Sequence, residues 1–227
     1  MPTYFIVASD TDPLGPNEIR AGETIDVEDG DIFIFEADAD DSTTFESAGG
    51  SNDFQIWFDD SLDESFDVEI GNNLNATIDI ADDVDLSDIS IKAGDADSVT
   101  LTAGDNVSLG GYEGSDNGAD TLTFGDGFST SSTIKTEGGD DTIILGNDAS
   151  IEDIETGGGD DTIIVGNNFD GDTIKTGGGD DTITIGDGAT LDDIETGSGN
   201  DSITIGDDAT LDDLKTGQGS DSVTIGD

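Results

Sequence analysis

Apolar residues along this chain recur in short alternating runs separated by Gly, Asp and Asn. In "TGGGDDTITIGDGATLDDIE", residues 176–195, they fall at Ile183, Ile185, Leu191 and Ile194. Alternation at period 2 predicts strands of three or four residues. Gly supplies positive φ, and Asp or Asn tolerates it, so the clusters between the runs predict tight turns. No run carries the 3.6-residue period of a helix.

The runs also repeat. "GGDDTIIL" begins at Gly138, "GGDDTIIV" at Gly158, "GGDDTITI" at Gly178, "GNDSITI" at Gly199 and "GSDSVTI" at Gly219, a period of 20 residues. Looser copies stand upstream as "GADTLTF" from Gly118 and "GDADSVTL" from Gly94, and "TIDIADDVDLSDIS" from Thr77 matches "SITIGDDATLDDLK" from Ser202. A fixed period of this size marks stacked units that cannot bury an apolar face alone. The expected fold is therefore all-β, a parallel β-solenoid of about eight coils over residues 71–227.

Residues 1–70 read differently. They hold nine of the thirteen aromatic residues, in runs such as "YFIV", "DIFIFE" and "FQIWF". The alternation in "ETIDVEDGDIFIFE", with Asp29-Gly30 between two apolar runs, predicts a hairpin of a small N-terminal β domain or a cap on the solenoid. The run Phe54–Phe58 is expected to pack in a core.

Charge then narrows the chemistry. With 56 acidic against 5 basic residues the formal net charge is −51, and only 32% of residues are hydrophobic. Such a chain would stay open by self-repulsion unless cations neutralised it. Nucleic acid is excluded as a partner because binding to it relies on Lys and Arg at phosphates. With no Cys and no His, disulfides, zinc sites, imidazole catalysis and thiol nucleophiles drop out. The opening "MPTYFIVASD" reads neither as a cleavable signal peptide nor as a transmembrane helix. Asp-Asp steps are so frequent that they carry no signal for acid–base catalysis, and no enzyme activity is expected.

The few basic residues set the register. Lys92, Glu113, Lys135, Glu155, Lys175, Glu195 and Lys215 occupy one site in successive repeats, strictly alternating, and include every Lys in the chain. Parallel in-register stacking places each Lys between two Glu, whereas like charges at strand spacing would repel by roughly 1 kcal/mol even in water. The same register stacks Asp97, Asp120, Asp141, Asp161, Asp181, Asp201 and Asp221. Seven carboxylates in one column call for a cation in each gap. Calcium suits it, because it accepts six to eight oxygens at about 2.3–2.6 Å and Gly-rich turns expose carbonyls. The candidate ligand turns are Gly139; Gly157 and Gly159; Gly177 and Gly179; Gly197 and Gly199; and Gly217 and Gly219, each with the Asp that follows. Opposite them, Asp126, Asn147, Asn167, Asp187 and Asp207 form either Asx-type turns or a second, sparser ion row.

The turn Thr156-Gly157-Gly158-Gly159-Asp160-Asp161-Thr162-Ile163 resembles the calcium-binding nonapeptide GGxGxDxUx of the RTX, or hemolysin-type, family, with Thr for the first Gly. The pattern returns at Gly179, Asp181 and Ile183, at Gly199, Asp201 and Ile203, and at Gly219, Asp221 and Val223. One motif per 20-residue coil is similar to the RTX-type ice-binding adhesin module, although Gly158, Gly178, Ser198 and Gln218 break the regular Thr and Asn array of that module's turns. The resemblance implies secretion, with type I export, and folding on meeting calcium outside the cell. The expected function is an extracellular structural protein that assembles head to tail, through its open last coil, into a filament or surface layer. The alternatives are an adhesin-type binding module, with ice or a cell-surface polysaccharide as candidate ligand, or the calcium-binding repeat region of a larger secreted protein.

Overall fold

The structure, a computed structural model, describes residues 2–7, 14, 16–35, 39, 41–47, 52–58, 61–62, 65–94 and 98–227. Every regular element among them is a β-strand, and no helix is long and apolar enough to cross a membrane. The strands form a parallel β-solenoid of two sheets, one of 12 strands and one of 10. Thr3–Val7 and Glu18–Arg20 pair with each other in the larger sheet, and from Thr24–Val27 onward the chain crosses to the other sheet after every strand. From Asp31–Phe35 to Thr210–Lys215 the described strands make nine complete turns.

These sheets also include the described strands before residue 70. Thr24–Val27 pairs with Thr43–Ser47 in the smaller sheet, while Asp31–Phe35 pairs with Thr3–Val7 and Asn52–Phe58 in the larger. The hairpin expected around Asp29-Gly30 is therefore not formed. Its turn, with Gly30 at φ 84°, rounds the corner between sheets. Near residue 70 the core side chains change while the two sheets run on.

The core lies between the sheets, filled by the inward residues of every strand. In the first turns it is aromatic: Phe33 packs on Phe45 and Phe45 on Phe54, with ring centroids 4.9 and 5.2 Å apart. Phe54, Ile56 and Phe58 are buried as expected, whereas Trp57 points outward. Later turns use smaller residues and conserve volume within each coil. Ala149 goes with Ile151, Phe169 with Gly171 and Ala189 with Leu191, at matched positions. A Cβ at Gly171 would come within 2.7 Å of the Phe169 ring, so the glycine makes room for it.

Charge is segregated between the outer faces. From Ser98 to Thr224 the outward positions of the larger sheet are Thr, Ser, Ile144 and Ile164, with no charged side chain. The smaller sheet carries the acids and the lysines. Its register pairs Glu113 with Lys92 and Lys135, Glu155 with Lys135 and Lys175, and Glu195 with Lys175 and Lys215, as the sequence predicts. Not every pair closes. Lys175 reaches Glu155 at 3.4 Å, but Lys92 bonds Asp67, Lys135 bonds Glu137, and Lys215 lies 3.7 Å from Asp193.

Candidate metal column at the glycine turns

Each turn after residue 136 stacks directly on the previous one. Gly138, Gly158, Gly178, Ser198 and Gln218 form parallel bridges, and the Gly159 N–H donates to the Gly178 carbonyl at 2.8 Å. The candidate glycines flanking these bridges adopt left-handed or wider positive φ, from 79° at Gly217 to 143° at Gly199. Space demands glycine as much as φ does. A Cβ at Gly159 would run into the carbonyl oxygen of Gly139, and one at Gly179 into that of Gly159.

Behind this turn stand the carboxylates. Asp120, Asp141, Asp161, Asp181 and Asp201 are all 1% exposed and share one register column. Oδ1 of each later Asp accepts the backbone N–H of the Asp one coil earlier: Asp141 N–H donates to Asp161 at 2.9 Å and Asp161 N–H to Asp181 at 2.9 Å. Oδ2 of Asp141, Asp161, Asp181 and Asp201 is buried with no hydrogen-bond partner. Burial pushes the Asp141 carboxyl up to about 7 and Asp161 up to about 6, against the lowering effect of the backbone N–H donors, and it raises Asp181 as well. An acceptor left bare in the interior costs about 1–3 kcal/mol, and more when charged. The column therefore has two neutral outcomes, taking up protons or taking up cations.

The donor set fits a hard cation. Among the described residues no backbone N–H donates to the carbonyls of Gly139, Gly159, Gly179 and Gly199, although their neighbours at Gly157, Gly177 and Gly197 each accept one. In the last turn the position of a Cβ at Gly219 lies against the Gly199 oxygen and 3.2 Å from Asp221 Oδ1. Among the described residues no three carboxylates gather at one point, so an ion here would draw mainly on carbonyls, as calcium readily does.

The sequence-predicted residues divide as follows. Asp141, Asp161, Asp181 and Asp201, with the glycines at 139, 157, 159, 177, 179, 197, 199, 217 and 219, lie along one edge of the solenoid. Asp221 continues the column at its less buried end and accepts the Asp201 N–H at 3.1 Å. Asp97 lies outside the described residues. The register sets Val99 across from Asp120, so the rung before Asp120 is apolar and not acidic. Asp120 differs from the others: Oδ1 accepts the Val99 N–H and Oδ2 the Tyr112 hydroxyl, both at 2.8 Å.

Two further sets of residues belong to the site without standing out in the sequence. Thr136, Thr156, Thr176 and Thr196 form a buried column beside the Asp row, each hydroxyl donating to the next Thr carbonyl at 3.1–3.5 Å. Their constant place five residues before the column Asp is the signal that marks them. Tyr112 gives none, because it stands at a core position where the other coils carry Ile, Val or Leu. On the opposite edge Asp126, Asn147, Asn167, Asp187 and Asp207 each accept a backbone N–H from the following coil at 2.7–3.0 Å. Those bonds are what stacked Asx-type turns provide.

Comparisons with models of known protein families, with curated proteins and with solved structures return no match to this chain.

Proposed function

We propose that this chain is a calcium-stiffened structural solenoid of the extracellular space. The observation that carries the reading is the row of four buried Oδ2 atoms without partners, in the same stacked turns as four glycine carbonyls to which no backbone N–H among the described residues donates. Divalent ions between coils would convert that liability into cohesion and offset part of the charge of −51. The likeness of the glycine turns to the RTX nonapeptide supports calcium as the ion. It also supports export before folding, since binding and folding are coupled when the site exists only in the folded state.

Assembly end to end is part of the same proposal. Within residues 1–227, Thr210–Lys215 and Ser222–Ile225 each end a sheet, and Val223 and Ile225 are exposed there. Further coils of the same chain or a second molecule would add at those edges.

The test is calcium titration of metal-free protein, followed by far-UV circular dichroism and electron microscopy. Strand signal should rise with calcium and fall on chelation. Strand content indifferent to excess EDTA overturns the reading, and single particles at millimolar calcium overturn the assembly.

A second reading, a binding module, is favoured by the outer face of the larger sheet, which carries no charge from Ser98 to Thr224. Its hydroxyls and methyls repeat at strand spacing, about 4.8 Å, a surface suited to a neutral ordered ligand such as ice or an uncharged glycan. Ice-recrystallisation and glycan-array assays separate it from the first.

A further inference from the structure

The carboxylate column begins abruptly at Asp120, and that first rung is built unlike the rest. Tyr112 is buried, and its hydroxyl donates to Asp120 Oδ2 at 2.8 Å, occupying the oxygen that stays bare in Asp141, Asp161, Asp181 and Asp201. The Val99 N–H serves Oδ1, and the Ser115 N–H further holds down a carboxyl that burial raises.

Room for the phenol comes from a paired change in sequence. Glu113 is in register with Lys135, which sets Gly114 at the place of Thr136. A Cβ at Gly114 would collide with Asp120 Oδ2 and come within 2.7 Å of the Thr136 carbonyl. The buried Thr of the later coils is thus replaced by Gly, and the vacated space lies beside the carboxylate that Tyr112 reaches. One coil earlier the column position is Val99, fully buried. An ion beside Asp120 would face an apolar side chain on one side and a filled carboxylate on the other.

We propose that Tyr112 terminates the cation row: its hydroxyl gives Asp120 the positive partner that calcium gives the later carboxylates, so ion binding starts at Asp141. This rests on the calcium reading above and adds a boundary to it. The boundary separates turns that fold without ions from turns that need them.

Ion counting on the full-length chain tests it, by elemental analysis after gel filtration in calcium and by calorimetric titration. Asp120→Asn should leave the number of bound ions unchanged and the calcium midpoint within about twofold, because the ions begin at Asp141; the amide oxygen still accepts the Tyr112 hydroxyl, while its NH2 set against the Val99 N–H lowers the melting temperature. Asp161→Asn should lose at least one ion. Tyr112→Phe should gain one, since it bares a fifth buried oxygen. A purely structural role for Tyr112 predicts a lower melting temperature with the ion count unchanged, and that result overturns the proposal. If Tyr112→Phe does not fold, the Asp120→Asn count decides, and loss of an ion there also overturns it. Unaltered protein that binds no calcium overturns the calcium reading itself, which is a separate and recognisable failure.

Discussion

One position in the solenoid is filled in two ways. Along a single register column the residues are Asp31, whose carboxylate accepts the Glu28 N–H, followed by Phe54, Ala76 and Val99 in the earlier turns, then Asp120, Asp141, Asp161, Asp181, Asp201 and Asp221. The backbone hardly distinguishes them, since the same parallel ladders run through both. In the first region cohesion comes from apolar burial, with Phe33, Phe45 and Phe54 in contact, and a fully buried side chain of that size contributes about 1.5–3 kcal/mol. In the second the core is mostly aliphatic, with Phe124, Phe128 and Phe169 the buried rings, and the column holds carboxylates that only a proton or a cation can satisfy. Identical coil geometry therefore has two sources of stability, one intrinsic and one dependent on the medium.

Acidity should separate them most. The folded Asp141 and Asp161 carboxyls titrate near 7 and 6, above the ordinary value of 3.8. The folded state thus holds protons that the unfolded state has released, and stability falls as pH rises from about 4 to about 7. Metal-free protein should melt higher at pH 5.5 than at pH 8, and hydrogen exchange should locate the gain in residues 136–227. Millimolar calcium should flatten or reverse the trend. A calcium-free melting temperature that climbs with pH would show that the column is not buried as described.

Next in size is Phe54→Ala, which should cost about 3–5 kcal/mol. Measured by denaturant unfolding, the loss should be the same with and without calcium, because no ion touches that region. The smallest effect belongs to Lys175→Ala. It removes an exposed pair with Glu155 and should cost about 0.2–1 kcal/mol, less at high salt. A larger loss would move the charge alternation from setting register to bearing stability.

Much of this architecture is legible in the amino-acid sequence. The 20-residue period, the parallel stacking and the pairing of Lys135 with Glu155 follow from spacing alone, because identical repeats must stack identical atoms. The beginning of the acidic row does not. Asp97 and Val99 differ by two residues, and a shift of two preserves which face each side chain occupies, so alternation cannot tell them apart. The Asp29-Gly30 corner is mistaken for a hairpin for a related reason. Period-2 runs flanking a tight turn look alike whether the strands fold back on each other or pass into different sheets, and only the pairing distinguishes them. Tyr112 stays hidden because its partner Asp120 comes from the following turn, and no local pattern announces that meeting.

The alternation of Lys and Glu has a further consequence for assembly of the tower during folding. Coils this similar invite a skipping error, in which one 20-residue loop bulges out and its two neighbours close over the gap with all apolar contacts intact. Such an error would set Lys135 upon Lys175, or Glu155 upon Glu195, so a period of two coils written over a period of one acts as a parity check, rejecting the miscount that hydrophobic packing would accept.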